Sequence, residues 1–347
     1  MKIRNILVSA GLFVALSGTL VSGMLDEFKS KNNKMLADYK KEITDMQAEI
    51  VSRNLKFRVE MNEQMKKQIA EITGLIIPDK KKEEPRKREE KPEEKRDGKK
   101  EEPKKEDQAK KEEKKPEEPE KKEIDDARKF CNPRAASFDW RKYGIVPAVR
   151  NQGTCGSCYM FSAMASYEAG YSLMYKKSVD VSEQHFLDCK NIGKCNGGWY
   201  GTVFDKMKNS GGLEEVIYPY KASTSSCKTS SGDKYFAMDS GNVGEYLKMA
   251  SVEEIKDGLC KHGVLSSAVF ATRMFTAYAG GVFDEHAKVS GVNHAINIVG
   301  WDDSKKSWLM RNSWGEQWGE KGYMWIEYGS NNIGTGTTWV APLESKQ

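Results

Sequence analysis

The 44 residues from Lys80 to Glu123 cannot join a folded core, and they divide the chain in two. Nineteen are Lys or Arg, 17 are Asp or Glu, and five of the other eight are proline. So little apolar surface cannot offset the entropy of ordering the backbone. A single charged helix is excluded by Pro85, Pro92, Pro103, Pro116 and Pro119, since each costs about 3 kcal/mol in a helix interior. The pattern implies a disordered Lys/Glu/Pro linker over 79–125, between a segment 24–78 and a globular region 126–347. The two signs nearly cancel in the linker, and the whole chain carries only +5. That leaves no electrostatic case for nucleic acid.

The N-terminus opens with Lys2 and Arg4 and then runs without charge to Asp26. Small residues Ser22 and Gly23 follow the apolar stretch, so 1–23 reads as a secretory signal peptide. Ile6 to Leu25 is also about long enough for a signal anchor, and a membrane association is expected only if it is retained. No cysteine stands at the cleavage position, which argues against a lipoprotein. Either way the bulk of the chain is exported, to an extracellular, periplasmic or cell-surface, or lysosome-like compartment where disulfides persist. From Met24 to Ile77 the spacing is helical. Leu36, Tyr39, Ile43, Met46 and Ile50 alternate steps of three and four, and Met61, Met65, Ile69 and Ile72 continue after a break near Asn54. This is an amphipathic or coiled-coil helix, with a coiled-coil oligomer as one possible use.

In 126–347 the order is helices first and strands later. Ser157 to Tyr175 and Trp199 to Ser210 read as helices, the second ended by Gly211 and Gly212. Ser251 and Glu254 form a capping-box start for a third. The runs VLSSAVF, HAINIVGW, SWLMRNSW and GYMWIEYG then read as strands. The fold class is α+β with two lobes.

All seven cysteines lie in this region, at 131, 155, 158, 189, 195, 227 and 260. An odd number in an oxidising compartment leaves one thiol over. The pair in NQGTCGSCYMFS, Cys155 and Cys158, fits three chemistries. A metal site needs a second close pair, and Cys189 and Cys195 are too far apart to supply it. A dithiol redox pair expects a thioredoxin-sized βαβ unit around it, and this domain is longer, with five further cysteines. A single nucleophile needs a base, a group orienting that base and oxyanion donors. Of the four histidines, His185 sits on a short helix, His262 ends a helix and His286 lies in a polar loop. His294 stands at the entrance to an apolar strand. Asn312 ends a second β run 18 residues later, so adjacent antiparallel strands could bring the two together.

NQGTCGSC, NHA and RNSWGEQWGEKGY, in that order, resemble the papain/cathepsin family of cysteine proteases (peptidase family C1). SEQHFLDC, KCNGGW and SFDWRKYGIVPAVRNQG fit the same family, and the resemblance runs from about Ala136 to Pro342. It implies a papain-like fold with a helical left lobe and a β-barrel-like right lobe, acting as a cysteine endopeptidase on protein or peptide substrates. No cofactor or metal is implied. By this resemblance Cys158 is the nucleophile and His294 its base and later its acid. Asn312 orients the imidazole, Trp314 shields that hydrogen bond, and Gln152 with the Cys158 N–H forms the oxyanion hole. A thiol at a helix N-terminus beside an imidazolium can fall from about 8.5 to roughly 3–4.

The resemblance also pairs Cys155 with Cys195 and Cys189 with Cys227, which leaves Cys158 free. The family's third bridge has no counterpart, and Cys131 with Cys260 is expected to form a different one. Gly197 and Gly198 would offer backbone to an extended substrate. Trp199, Tyr200, Ser267, Val292 and Ala295 would line an apolar pocket for the residue two before the cut. Tyr159 replaces the tryptophan most common after the nucleophile. IVSRN (50–54) and FRVEMNEQ (57–64) faintly resemble the inhibitory prosegment that the family lays backwards through its cleft. The alternatives for 24–78 are oligomerisation and surface attachment.

Overall fold

The computed structural model describes residues 4–78 and 130–344. The charged linker over 79–125 falls outside the described residues. Helix α1 spans Arg4–Ser52, with side chains described at Glu27 and from Lys29 onward, so the apolar side chains of 1–23 lie outside them too. Among the described residues no helix is long and apolar enough to cross a membrane.

The helical reading of 24–77 holds only to Ser52. Asn54 takes a left-handed φ of 53° and turns the chain. Phe57–Val59 then forms strand β1. A 3-10 turn covers Glu63–Lys66, and a single helical turn, α2, covers Ile69–Ile72. The apolar stripe of α1 is also not left for a second helix. Ile43, Met46 and Ile50 are buried in one cluster with Phe57, Phe275 and Phe283. Short-range periodicity located the stripe, and tertiary packing chose its partner.

In the globular region the strands are β2 (Ser137–Asp139), β3 (Gly193–Lys194), β4 (Gly197–Gly198), β5 (Phe236–Asn242) and β6 (Leu265–Val269). They continue with β7 (Tyr278–Phe283), β8 (His294–Asp302), β9 (Ser307–Arg311), β10 (Tyr323–Glu327) and β11 (Thr335–Leu343). The main sheet runs β1-β7-β10-β9-β8-β6-β11-β5, with β2 on β8. Among the described residues this sheet stays open, with β1 and β5 at its ends, which is consistent with the two-lobed, barrel-like reading. Strand β1 takes the edge that β7 would otherwise expose.

The helices are α3 (Cys158–Tyr175), α4 (Glu183–Cys189), α5 (Tyr200–Ser210), α6 (Val252–His262) and α7 (Arg273–Ala277). Residues 158–171 of α3 are buried all round, as a helix between two layers must be. Two cores result. One gathers Trp301, Trp308, Trp314, Trp318 and the sheet aliphatics. The other gathers Tyr159, Met164, Tyr167, Phe186 and Phe204 from the helices. Polar residues on α3 stitch the two together. The Ser162 hydroxyl donates to the Ile296 carbonyl at 2.8 Å, and Asn297 Nδ2 donates to the Ser162 carbonyl at 2.8 Å. The α+β, two-lobed reading stands.

Candidate active site

Three disulfides fix the cysteines. Cys155–Cys195, Cys189–Cys227 and Cys131–Cys260 are bonded, and Cys158 alone is free. The dithiol reading of C-x-x-C falls here, because Cys155 is paired elsewhere. Cys155–Cys195 clips the turn before α3 to the loop leading to β4, where the Gly156 N–H donates to the Cys195 carbonyl at 2.7 Å. Only glycine fits at 156. A Cβ there would lie 2.5 Å from the carbonyl oxygens of both Cys195 and Thr73.

Cys158 is the first residue of α3 and is fully buried. The backbone of Ala295, the residue after His294, faces its sulfur and favours the thiolate, more weakly than burial opposes it. His294 opens β8, and β8 runs antiparallel to β9 with Asn297 opposite Arg311. That register brings Asn312 alongside, and His294 Nε2 lies 2.8 Å from Asn312 Oδ1. Trp314 stacks on the imidazole, with ring centroids 4.6 Å apart, and Phe275 meets it edge-on at 6.3 Å. His294 Nδ1 is buried without a hydrogen-bond partner, so no such bond joins it to Cys158.

Gln152 is held on all sides. Its Oε1 accepts from the Ser313 hydroxyl at 2.7 Å, and its Nε2 donates to the Cys155 carbonyl at 2.9 Å and the Ile72 carbonyl at 3.1 Å. Its own carbonyl accepts from the Tyr220 hydroxyl at 2.9 Å, and that hydroxyl lies 2.7 Å from Ser157 Oγ. Ser313 adjoins Asn312 in RNSW and was within reach of motif reasoning. Tyr220 is 68 residues from Gln152, and nothing local marks it.

The site is covered by the chain's own residues 72–76. The Ile72 carbonyl accepts from both Gln152 Nε2 and Trp314 Nε1, the latter at 2.9 Å. The Gly74 and Leu75 N–H groups donate to the Asn293 carbonyl at 3.1 Å. The Ile76 N–H donates to the Gly198 carbonyl at 2.9 Å, and the Gly198 N–H donates to the Gly74 carbonyl at 2.8 Å. Leu75 and Gly198 thus make a parallel bridge. The Leu75 side chain is buried in the cluster that includes Trp199, Tyr200 and Ala295, with Val292 packed against it. Gly197, Gly198, Trp199, Tyr200, Val292 and Ala295 are therefore gathered around one segment. Ser267 is buried with its hydroxyl 2.9 Å from Thr337 Oγ1, and the Tyr200 hydroxyl donates to the Gly336 carbonyl at 2.6 Å. Both polar groups are satisfied inside the protein. Tyr159 is buried beneath the β3–β4 hairpin, its hydroxyl donating to the Lys194 carbonyl at 3.3 Å.

Covering changes the electrostatics. Burial pushes the Cys158 thiol up to about 12, against the backbone hydrogen bonds around it. Burial also lowers His294 to about 4, against its bond to Asn312. Both directions work against the expected thiolate–imidazolium pair, because dry surroundings disfavour both charged forms. Among the described residues no cluster of His, Cys, Asp or Glu could hold a metal ion.

A family model described as papain family cysteine protease matches residues 134–343. A viral cathepsin of Mamestra configurata nucleopolyhedrovirus is 36% identical over 205 residues, covering 58% of this chain and 59% of its own. The thiol protease aleurain of Arabidopsis thaliana is 37% identical over 221 residues, covering 59% of each. The chain thus spans about six-tenths of the length of these curated relatives. Among solved structures, a Carica candamarcensis cysteine protease in complex with E-64 superposes with a TM-score of 0.55 at 29% identity, covering 61% of this chain and 100% of its own. The ragweed pollen allergen Amb a 11, a cysteine protease in its proform, gives 0.55 at 26% identity, covering 61% and 67%.

Proposed function

This chain belongs to the papain family of cysteine proteases, and from that premise we propose that it is an exported cysteine endopeptidase made as a zymogen. In the state described, its own residues 72–76 close it. One observation carries the reading. The single cysteine outside a disulfide starts a buried helix, against the backbone beside a histidine held by an asparagine. In the open enzyme, His294 Nδ1 takes the Cys158 proton. The thiolate attacks the substrate carbonyl carbon, and the oxygen gains charge between Gln152 Nε2 and the Cys158 N–H. Asn312 Oδ1 accepts the Nε2–H and keeps the ring aligned. The imidazolium then gives its proton to the leaving amine, leaving a thioester. Water attacks the thioester with His294 as base, releasing the acid and restoring the thiol. A side-chain donor such as Gln152 is worth about 10²–10³ in rate.

Residues 72–76 fit the role of inhibitor because they occupy the cleft in the reverse direction. Their pairing with Gly198 is parallel, whereas a substrate entering the opposite way would pair antiparallel. Leu75 takes the place proposed for the residue two before the cut, which supports an aliphatic preference there. The test is peptide hydrolysis and labelling by an epoxide-type thiol inhibitor. The full chain and residues 126–347 are compared, as wild type, Cys158→Ala and Cys155→Ala. The reading expects labelling to vanish only in Cys158→Ala and activity to be higher without the N-terminal segment. Labelling that survives Cys158→Ala would sink the nucleophile assignment, and equal activity of the two forms would sink inhibition.

A further inference from the structure

Arg273 opens α7, yet every hydrogen bond its guanidinium makes goes to the N-terminal segment. Nε and Nη2 grip the two carboxylate oxygens of Glu42 at 2.8 and 2.7 Å. Nη1 donates to the carbonyls of Met65 and Lys67 at 3.1 and 3.4 Å. If residues 42–76 leave the cleft, all four bonds go together. A guanidinium fork without an acceptor then remains beside the active site, where it binds carboxylates best.

Its place in the cleft follows from its neighbours. Phe275, two residues on, meets Trp314 edge-on at 5.7 Å and His294 at 6.3 Å. Gln64 Nε2 donates to the Trp314 carbonyl at 3.0 Å, so 64–67 lie on the Trp314 side. Residues 75–76 lie on the Gly198 side. A substrate whose acyl part pairs with Gly198 therefore extends its leaving-group part over Trp314 toward Arg273. One imidazole-to-phenyl step plus an arginine's reach spans about 10 Å, or about three extended residues. The neighbouring carboxylate, Glu285, does not compete. Its Oε2 already accepts from Thr272 Oγ1 and Asn331 Nδ2, each at 2.7 Å.

We propose that Arg273, once freed of Glu42, selects an acidic residue at the second or third position beyond the scissile bond. This rests on the protease reading above. The segment shows the mode of recognition in advance, with one carboxylate on the fork and main-chain carbonyls on Nη1.

The test uses full-length protein treated with a trace of trypsin until its N-terminal segment is released, with active sites counted by thiol titration. Internally quenched peptides carry Glu, Ala or Lys at those two positions. The expectation is a kcat/KM about tenfold higher for Glu than for Lys, shrinking as salt rises. The ratio should fall to within twofold in Arg273→Gln and stay partly intact in Arg273→Lys. A short substrate with only a fluorophore beyond the cut should be hydrolysed equally by wild type and Arg273→Gln. Equal rates for Glu and Lys in the wild type, or a preference that survives Arg273→Gln, would overturn the proposal. Failure of the wild type on the short substrate as well would overturn the protease reading with it.

Discussion

Gly74→Ala should open the cleft without touching the globular region. A Cβ at 74 would lie 2.0 Å from the Gly156 carbonyl oxygen, 2.5 Å from its carbon and 2.7 Å from its Cα. All three are backbone atoms in the disulfide-clipped turn before α3, so they cannot rotate away. Relief requires the segment to lift by about 1 Å, and overpacking of this kind costs about 1–3 kcal/mol. Lifting also breaks the Gly74–Asn293 and Gly198–Gly74 hydrogen bonds, now 3.1 and 2.8 Å, at about 1 kcal/mol net each. The sum is about 3–5 kcal/mol, or about 10²–10⁴ in the ratio of open to closed chain. Because residue 74 is outside the globular region, the freed domain is identical to the wild type. The assay is the initial rate of peptide hydrolysis by the uncut full chain, its integrity checked by mass before and after. The rate should rise about a hundredfold or more in Gly74→Ala. An unchanged rate, alongside a separately released domain that hydrolyses the same peptide, would refute the view that 72–76 keeps substrate out.

Three other changes probe separate parts of the site and its scaffold. Ser313→Ala removes the donor holding Gln152 Oε1; kcat should fall about tenfold with little change in KM, and affinity for a peptide aldehyde should weaken in step. Replacing both Cys131 and Cys260 by Ala opens a link across 129 residues, which the chain-entropy model puts at up to about 4–5 kcal/mol; denaturant melts should show the loss while thiol labelling persists. Acid should loosen the closed state of Cys158→Ala, in which no thiolate can hold the open imidazolium. His294 stands at about 4 rather than 6.5 while buried, so the closed form keeps its full advantage above about 6.5 and loses it as pH falls toward 4. By pH 5 the loss is about 2 kcal/mol, or roughly 30-fold in protection. Protection factors of the Leu75 and Ile76 amides at pH 7 and pH 5 would measure it, and equal values would count against the coupling.

The sequence carried most of the site because its residues come in short runs whose neighbours fix them. Asn312 follows a β run directly and His294 begins one, so the β8–β9 register sufficed to join them. Strands β1 to β5, β7 and β11 were not legible. YAGGVF carries two glycines and TGTTWVAPL is half threonine and small residues, so neither has the apolar run by which the other strands were read. The stretch 54–77 misled for a different reason. Met61, Met65, Ile69 and Ile72 do recur at helical spacing. In the fold Met65 and Ile72 are buried against the domain, however, and β1 finds its hydrogen bonds on β7. A segment that lies along another surface takes its conformation from that surface, and periodicity cannot distinguish that from a helix. Tyr220 and Arg273 act through partners far away in sequence, and a single chain gives no local sign of either.

Closure and burial of the Cys158–His294 pair coincide in this structure. An ion pair between them needs surroundings that solvate both charges, and both side chains are fully buried here. Burial pushes the Cys158 thiol up and the His294 imidazole down, and both directions favour the neutral forms. The thiolate is the reactive species in both acyl transfer and disulfide exchange. On the proposed reading, the residues that exclude substrate also shield the Cys158 thiol from the other six cysteines. On the same reading, when residues 72–76 leave, water enters, the penalty on both charges falls, and the dipole of α3 with the bond from Asn312 favours the pair. Access and reactivity then appear together.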